Sequence, residues 1–332
     1  VRAGTHIYDF GQNLVGWCRL KTRGSAGACV TLKHAESLRP DGTLALANIR
    51  GAKATDRYWL SGDGDETWEP RFTYHGFRFV EVTSDSPEVS LQSLDARVVH
   101  DDMREVGQFE CSNPVLNRIY RNVVWGLRGN YRSVPTDCPQ RDERQAWLGD
   151  RIEESRGEMY IFDAAAFYRK WLQDIADAQR ESGSVPDVAP AHWPIYSDNV
   201  VWPSAGVAIP FSLYRQYGDR EIIARHYESA KRWIDYMAQF VEDGLIARDN
   251  YGDWCVPPED PLLIHSQDPD RRTDKTLLAT AFFCRNLQLM ERYADLLNEH
   301  ADLERYRQLA ATMTRALNDR FLNLSDGWYD NG

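Results

Sequence analysis

The hydrophobic period of this chain changes once, near residue 105, and that change limits what it can fold into. Before it, apolar and β-branched residues come in short runs: Val30–Lys33 (VTLK), Arg57–Leu60 (RYWL) and Phe77–Thr83 (FRFVEVT). Turn clusters such as Ser61-Gly62-Asp63-Gly64-Asp65 separate them, the pattern of strands joined by tight turns. Alternation puts Phe77, Phe79 and Glu81 on one face of a half-buried strand, with Arg78, Val80 and Val82 on the other. Short strands between Gly-rich turns predict a β-sandwich module over residues 1–105.

After the change the repeat is helical. Ser112-Asn113-Pro114 supplies an N-cap and a proline at the first helical position. Val115, Leu116, Ile119, Val123 and Leu127 then follow at helical spacing. Further helices are expected near 158–181, 203–217, 220–241, 275–297 and 303–321, with Gly183, Gly218 and Gly244 where they stop. No strand alternates with these helices, which argues against a parallel sheet. Stacked helical hairpins are expected over 106–332, roughly half of what a closed double ring needs.

Bulk properties narrow the function classes. With 332 residues, 42% hydrophobic and 27% charged, the chain has material for two folded domains. A net charge of −11 with scattered basic residues argues against a nucleic-acid partner. No apolar run approaches the ~18 residues that span a bilayer. The six cysteines, Cys18, Cys29, Cys111, Cys138, Cys255 and Cys284, show no metal-ligand spacing and read mostly as buried thiols. Neither a Gly-rich phosphate loop nor a GxSxG elbow occurs, so no cofactor and no metal are expected. The start at Val1 and the turn-like tail WYDNG read as cut ends, which leaves the compartment open. Eleven Trp with 16 Tyr fit either a large core or a site that stacks on sugar rings.

The stretch TDCPQRDERQAWLGD (136–150) concentrates carboxylates, guanidinium groups and an indole. If a helix begins at Pro139, then Glu143, Trp147 and Asp150 share one face, with Asp137 just ahead of it. A carboxyl beside an indole and other acids holds its proton more readily, as a general acid must. Arg141 acts in the opposite sense on a neighbouring carboxylate. A solvated, salt-bridged helix start fits the same spacing. Asp187, Asp198 and the pair Asp253-Trp254 fall in expected loops, as does Trp202. Such loops gather at one end of a ring of hairpins, where Trp147, Trp202 and Trp254 would wall a carbohydrate and the aspartates would accept its hydroxyls; ordinary packing is the competing reading. Glu153, Glu154 and Glu158 with Arg151 and Arg156 read as a solvated helix face. His192 and His265 lie in loops without partner spacing, and SQDPDRRTDK (266–275) reads as an exposed loop.

TDCPQRDERQAWLGD resembles the signature of the bacterial α-L-rhamnosidases of glycoside hydrolase family 78, TDCPQRDER-x-x-W-x-GD. The likeness extends through HIYDFGQNLVGWCRL (6–20), FTYHGFRFVEV (72–82), KWLQDIADAQRESGSVPDVAP (170–190) and YGDWCVPPED (251–260). Segments 149–163 and 261–273 look like one branch of the family. The resemblance implies a multidomain β + α chain, a β-sandwich module followed by an incomplete (α/α)6 barrel. It also implies release of terminal α-L-rhamnose with inversion, from plant glycosides or rhamnose-containing polysaccharides. Glu143 takes the position of the general acid; Asp137, Arg141 and Asp150 take hydroxyl-binding positions; Trp147, Trp202 and Trp254 take the aromatic wall. The C6 methyl of rhamnose suits an indole surface, while its hydroxyls need charged partners.

Inversion needs a second carboxylate about 6.5–9.5 Å from the acid, with water between. By the resemblance that base comes from a later part of the barrel, past Gly332. Glu259, Asp260 and Asp198 are carboxylates within the chain, but the resemblance nominates none of them as base. The expectation is therefore a fragment that holds the acid half of the pair and exposes apolar helix faces. Two alternatives stand beside it, a non-catalytic rhamnose-binding protein and another inverting glycosidase on the same barrel.

Overall fold

A computed structural model describes residues 5–152, 154–253, 255–263 and 265–331. They divide into two compact units that meet in sequence between Gln145 and Ala146.

The first unit is built on an antiparallel sheet. Its strands are β1 (Thr5–Arg23), β2 (Cys29–Ala35), β5 (Thr55–Trp59), β6 (Glu66–Trp68), β7 (His75–Ser84) and β8 (Ser90–Val98); β3 (Ser37–Leu38) and β4 (Leu44–Ala45) form a small separate hairpin. The three expected strands are β2, β5 and β7, neighbours in the order β5-β2-β7-β1. At 19 residues β1 changes partner along its length: its first half pairs with β7, and from Gly16 on it pairs with β8 and β6. A Cβ at Gly16 would lie 1.8 Å from the Arg97 carbonyl oxygen, so the changeover requires a glycine.

Strict alternation does not hold in β7. Phe77, Val80 and Val82 all join one core with Leu14, Cys18, Leu20, Val30 and Leu32. The slip falls opposite the irregular stretch of β1 between Asp9 and Leu14, where the register between the two strands shifts. Helix α1 (Pro114–Asn130) starts as expected: Asn113 accepts a hydrogen bond from the Val115 amide, and proline follows at the first position. Its apolar stripe does not face a core, however. Val115, Leu116, Ile119 and Val123 are exposed. The helix packs instead through Val124 and Trp125, and through Gly129, where a Cβ would meet the Val15 side chain at 2.8 Å.

The second unit is helical. It holds α2 (Glu154–Ile161), α3 (Ala165–Asp177), α4 (Ala205–Tyr217), α5 (Arg220–Ala238), α6 (Lys275–Leu297) and α7 (His300–Phe321), with a terminal hairpin of β9 (Leu322–Asn323) and β10 (Trp328–Tyr329). The single helix expected over 158–181 is two. Gly218 caps α4 at φ 70°, and Asn298 caps α6 at φ 64°, giving tight hairpins α4/α5 and α6/α7. Gly183 and Gly244 also have positive φ but lie in the loops beyond α3 and α5 rather than at their caps. Asp274 caps α6 by accepting from the Thr276 and Leu277 amides.

Aromatic side chains fill this unit's interior. Trp171, Tyr168, Phe283, Tyr293 and Tyr306 are fully buried, and the Tyr293 hydroxyl ties α6 to α4 at the Val207 carbonyl, 2.6 Å away. Core packing therefore accounts for part of the Trp and Tyr excess. Arg151 and Glu158 are not a solvated face. Both are buried and paired at 2.6 Å, and Tyr168 donates to Glu158. The short 3-10 turn Gly149–Arg151 carries the Arg151 side chain inward; Glu154 alone of the group's described acids stays exposed. Glu153 lies outside the described residues.

Candidate active site

The signature stretch is not a helix. From Tyr131 to Leu148 the backbone forms turns and bridges, and the first helical turn is Gly149–Arg151. The expected helix at Pro139 is therefore replaced by a loop, in which Asp137 and Asp142 bond to backbone amides and Glu143 to guanidinium groups. Asp137 and Gln145 clamp it. The Asp137 amide donates to the Gln145 carbonyl at 2.8 Å, and the Gln145 amide donates to Asp137 Oδ1 at 2.7 Å. Arg144 takes positive φ (54°), donates its amide to Cys138 Sγ, and stacks its guanidinium over Tyr74 at 4.3 Å. Asp142 accepts from the Gly51 amide at 3.2 Å, a partner 91 residues away.

This loop holds a compact ionic cluster in the first unit. Arg141 reaches Asp137 Oδ2 at 3.0 Å and Glu143 Oε2 at 2.8 Å. Arg50, itself at positive φ (51°), reaches the same Oε2 at 3.0 Å. The side chains of Asp137 and Glu143 are only 6% and 13% exposed, so these contacts form largely out of bulk water. Arg50 was not singled out from sequence; nothing in its local spacing pointed to a contact 93 residues away. Burial raises the Cys138 thiol to about 11. Asp137, Cys138 and Glu143 offer atoms close enough for a cation, but Arg141 already supplies positive charge there. His34, Asp56 and His75 form another buried group; its two imidazoles stack at 4.2 Å, which keeps their in-plane lone pairs from converging on one ion.

In the second unit the signature continues as an edge, Trp147 bridging to Val188 while the Leu148 amide donates to the Asp187 carbonyl. Trp147 and Trp202 are brought together through a residue that sequence reading missed, Tyr251. Its ring meets Trp147 edge-on at 6.0 Å and lies against Trp202 at 4.6 Å. Trp193, equally unforeseen, packs edge-on against Trp147 at 6.3 Å. The Trp202 indole lies on Gly149, where a Cβ would be 2.3 Å from two ring carbons. The glycine of the signature thus has a steric cause. Asp150 is half-buried in the same turn. Trp254 lies outside the described residues.

The loop acids are differently placed from one another. Asp187 is fully buried; its carboxylate accepts from Ser197 Oγ at 2.8 Å and from the Tyr251 hydroxyl at 2.9 Å. Burial raises its pKa above the ordinary aspartate value, against the two hydroxyl bonds. Asp198, at φ 55°, accepts from Ser184 Oγ. Asp253 accepts from Thr273 Oγ1 at 2.8 Å. Glu259 is exposed, paired with Arg271, and held below the usual carboxylate range chiefly by the Ser266 hydroxyl. His192 is exposed, and the 266–275 segment is mostly so, apart from a buried Ser266.

Residues 104–332 match the bacterial α-L-rhamnosidase six-hairpin glycosidase domain, and residues 1–100 match the bacterial α-L-rhamnosidase concanavalin-like domain. An α-L-rhamnosidase of Streptomyces avermitilis is 40% identical over 326 residues, 98% of this chain and 30% of that protein. One from Alteromonas sp. (strain LOR) is 34% identical over 97% of this chain and 35% of its own length. The crystal structure of the Streptomyces avermitilis α-L-rhamnosidase complexed with L-rhamnose superposes with a TM-score of 0.88, covering 99% of this chain and 31% of that one at 39% identity. The chain thus spans about a third of the length of the curated relatives it matches. A sheet domain followed by helical hairpins, and matches to both characteristic domains along its length, show that the chain belongs to the bacterial α-L-rhamnosidase family.

Proposed function

We propose that this protein hydrolyses terminal α-L-rhamnosides, of plant glycosides or rhamnose-containing polysaccharides, by inversion. The supporting observation is that Glu143 stands at the acid position of the signature with its side chain shielded inside the loop. The partners seen there, Arg141 and Arg50, replace the surroundings of acids and indole expected from sequence and are not themselves what suits it to give a proton. Glu143 delivers the proton to the bridging oxygen as the glycosidic bond breaks. Asp137, Arg141 and Asp150 bind ring hydroxyls. Trp147, Trp202 and Trp254 present apolar surface to the sugar's methyl group. The base that activates water is assigned to no residue of this chain.

Replacing Glu143 by glutamine in a full-length version of the protein tests the assignment. Hydrolysis of rhamnosides with poor leaving groups is expected to fall about 10²–10⁴-fold, less so for nitrophenyl rhamnoside, while rhamnose binding persists. Unchanged turnover of alkyl rhamnosides would remove Glu143 from this role. Rhamnose binding without any turnover by the complete gene product would mark a sugar-binding protein instead.

A further inference from the structure

Tyr251 occupies a place that no hydroxyl-binding or proton-transfer role requires. Its ring separates two indoles, edge-on to Trp147 at 6.0 Å and against Trp202 at 4.6 Å. Its backbone is held from behind: the buried Asp249 carboxylate accepts the Tyr251 amide at 3.3 Å, and at Gly252 a Cβ would lie 2.6 Å from that same carboxylate. Its hydroxyl donates to Asp187, whose second oxygen accepts from Ser197. Asp187 also fixes the backbone around it, since its carbonyl accepts from the Leu148 amide and its amide donates to the Ile195 carbonyl. One fully buried residue thereby links the segment carrying Trp147 and the 195–197 loop through its backbone, and Ser197 and Tyr251 through its carboxylate.

We propose that Tyr251, anchored by Asp187, is a positioning residue that sets the spacing of Trp147 and Trp202 and so gives the site its preference for a 6-deoxy sugar over its 6-hydroxy counterpart. This role presupposes the rhamnoside reading above, in which the two indoles receive the methyl group. A methyl group gains from an indole only at van der Waals contact, and a gap of 0.5–1 Å forfeits about a quarter to a half of that attraction. A hydroxymethyl group solvated in the same position gains less from contact and loses less from slack. Spacing between the rings therefore controls discrimination more than it controls overall sugar binding. Burial raises both the Asp187 carboxyl and the Tyr251 hydroxyl, and the neighbouring Asp187 charge raises the latter further, consistent with a bond sealed from solvent.

The test compares L-rhamnose with L-mannose, which differ only at C6, by titration calorimetry on the unaltered chain and on Tyr251→Phe, Asp187→Asn, Trp147→Ala and Trp202→Ala. Tyr251→Phe keeps the ring and removes the anchor; L-rhamnose affinity is expected to fall about twofold, a quarter to a half of what burying one methyl group contributes, with L-mannose affinity nearly unchanged. Asp187→Asn is expected to lower the rhamnose-to-mannose ratio in the same direction, with tryptophan emission shifted in both variants. If both keep the ratio of the unaltered chain while either tryptophan variant loses it, the positioning role is wrong and the wall stands. If neither tryptophan variant changes rhamnose affinity, the wall itself is wrong and this role goes with it.

Discussion

Replacing Gly149 by alanine tests the steric origin of the signature's glycine. The added Cβ would lie 2.3 Å from two carbons of the Trp202 indole and 2.8 Å from a third. Carbon atoms rest about 3.5–4.0 Å apart, so ring and backbone must separate by more than 1 Å. Neither side yields easily. Trp202 opens a 3-10 turn between the buried Val201 and Pro203, its ring lies against Tyr251, and Gly149 opens a turn that carries the buried Arg151. Overpacking of this kind costs about 1–3 kcal/mol, equivalent to roughly 2–12 °C in Tm for a unit of this size. Differential scanning calorimetry supplies the measurement, with Gly157→Ala as control. Gly157 is an exposed helical glycine of α2 with no neighbour within 4 Å of an added Cβ, so alanine there should stabilise by up to about 1 kcal/mol. An unchanged Tm in Gly149→Ala, with the control behaving as stated, would refute the clash as the reason for glycine.

Two further outcomes follow from buried charge. Glu158→Leu leaves Arg151 buried without its closest anion and should destabilise by about 3–5 kcal/mol in urea titration, whereas the double change Arg151→Met, Glu158→Leu should recover much of the loss. Asp302 joins α7 to α5 by accepting from Lys231 Nζ at 2.6 Å and Tyr227 at 3.0 Å. Burial alone would raise its pKa, but these bonds and the nearby cations outweigh it, and the carboxyl lies below its ordinary value. A depressed carboxylate stabilises the fold above the unfolded value of about 3.9 and loses that contribution as pH falls through the lower folded value. Asp302→Asn should therefore be less stable at neutral pH and show a flatter loss of stability below about pH 4; an acid limb as steep as that of the unaltered chain would refute the assignment.

Order in sequence and local chemistry determined the elements of this protein. β2, β5 and β7 were visible because strand propensity and Gly-rich turns act over a few residues, and α6 because Asp274 caps a long periodic run. The Asn113 cap and the Gly218 stop are likewise local. The residues of the signature, Asp137, Arg141, Glu143, Trp147 and Asp150, stand out from sequence alone as types suited to sugar chemistry. Their conformation does not. Helical spacing from Pro139 was outweighed by bonds to Gly51 and Arg50, some 90 residues distant, and by the Asp137–Gln145 clamp. Tertiary structure alone decided that Glu158 is buried with Arg151, that the α1 stripe is exposed, and that Tyr251 lies between two indoles. The physical reason is range. Propensity, capping and turn chemistry are settled within a few residues, whereas ion pairing and ring packing depend on which distant segments the fold makes neighbours.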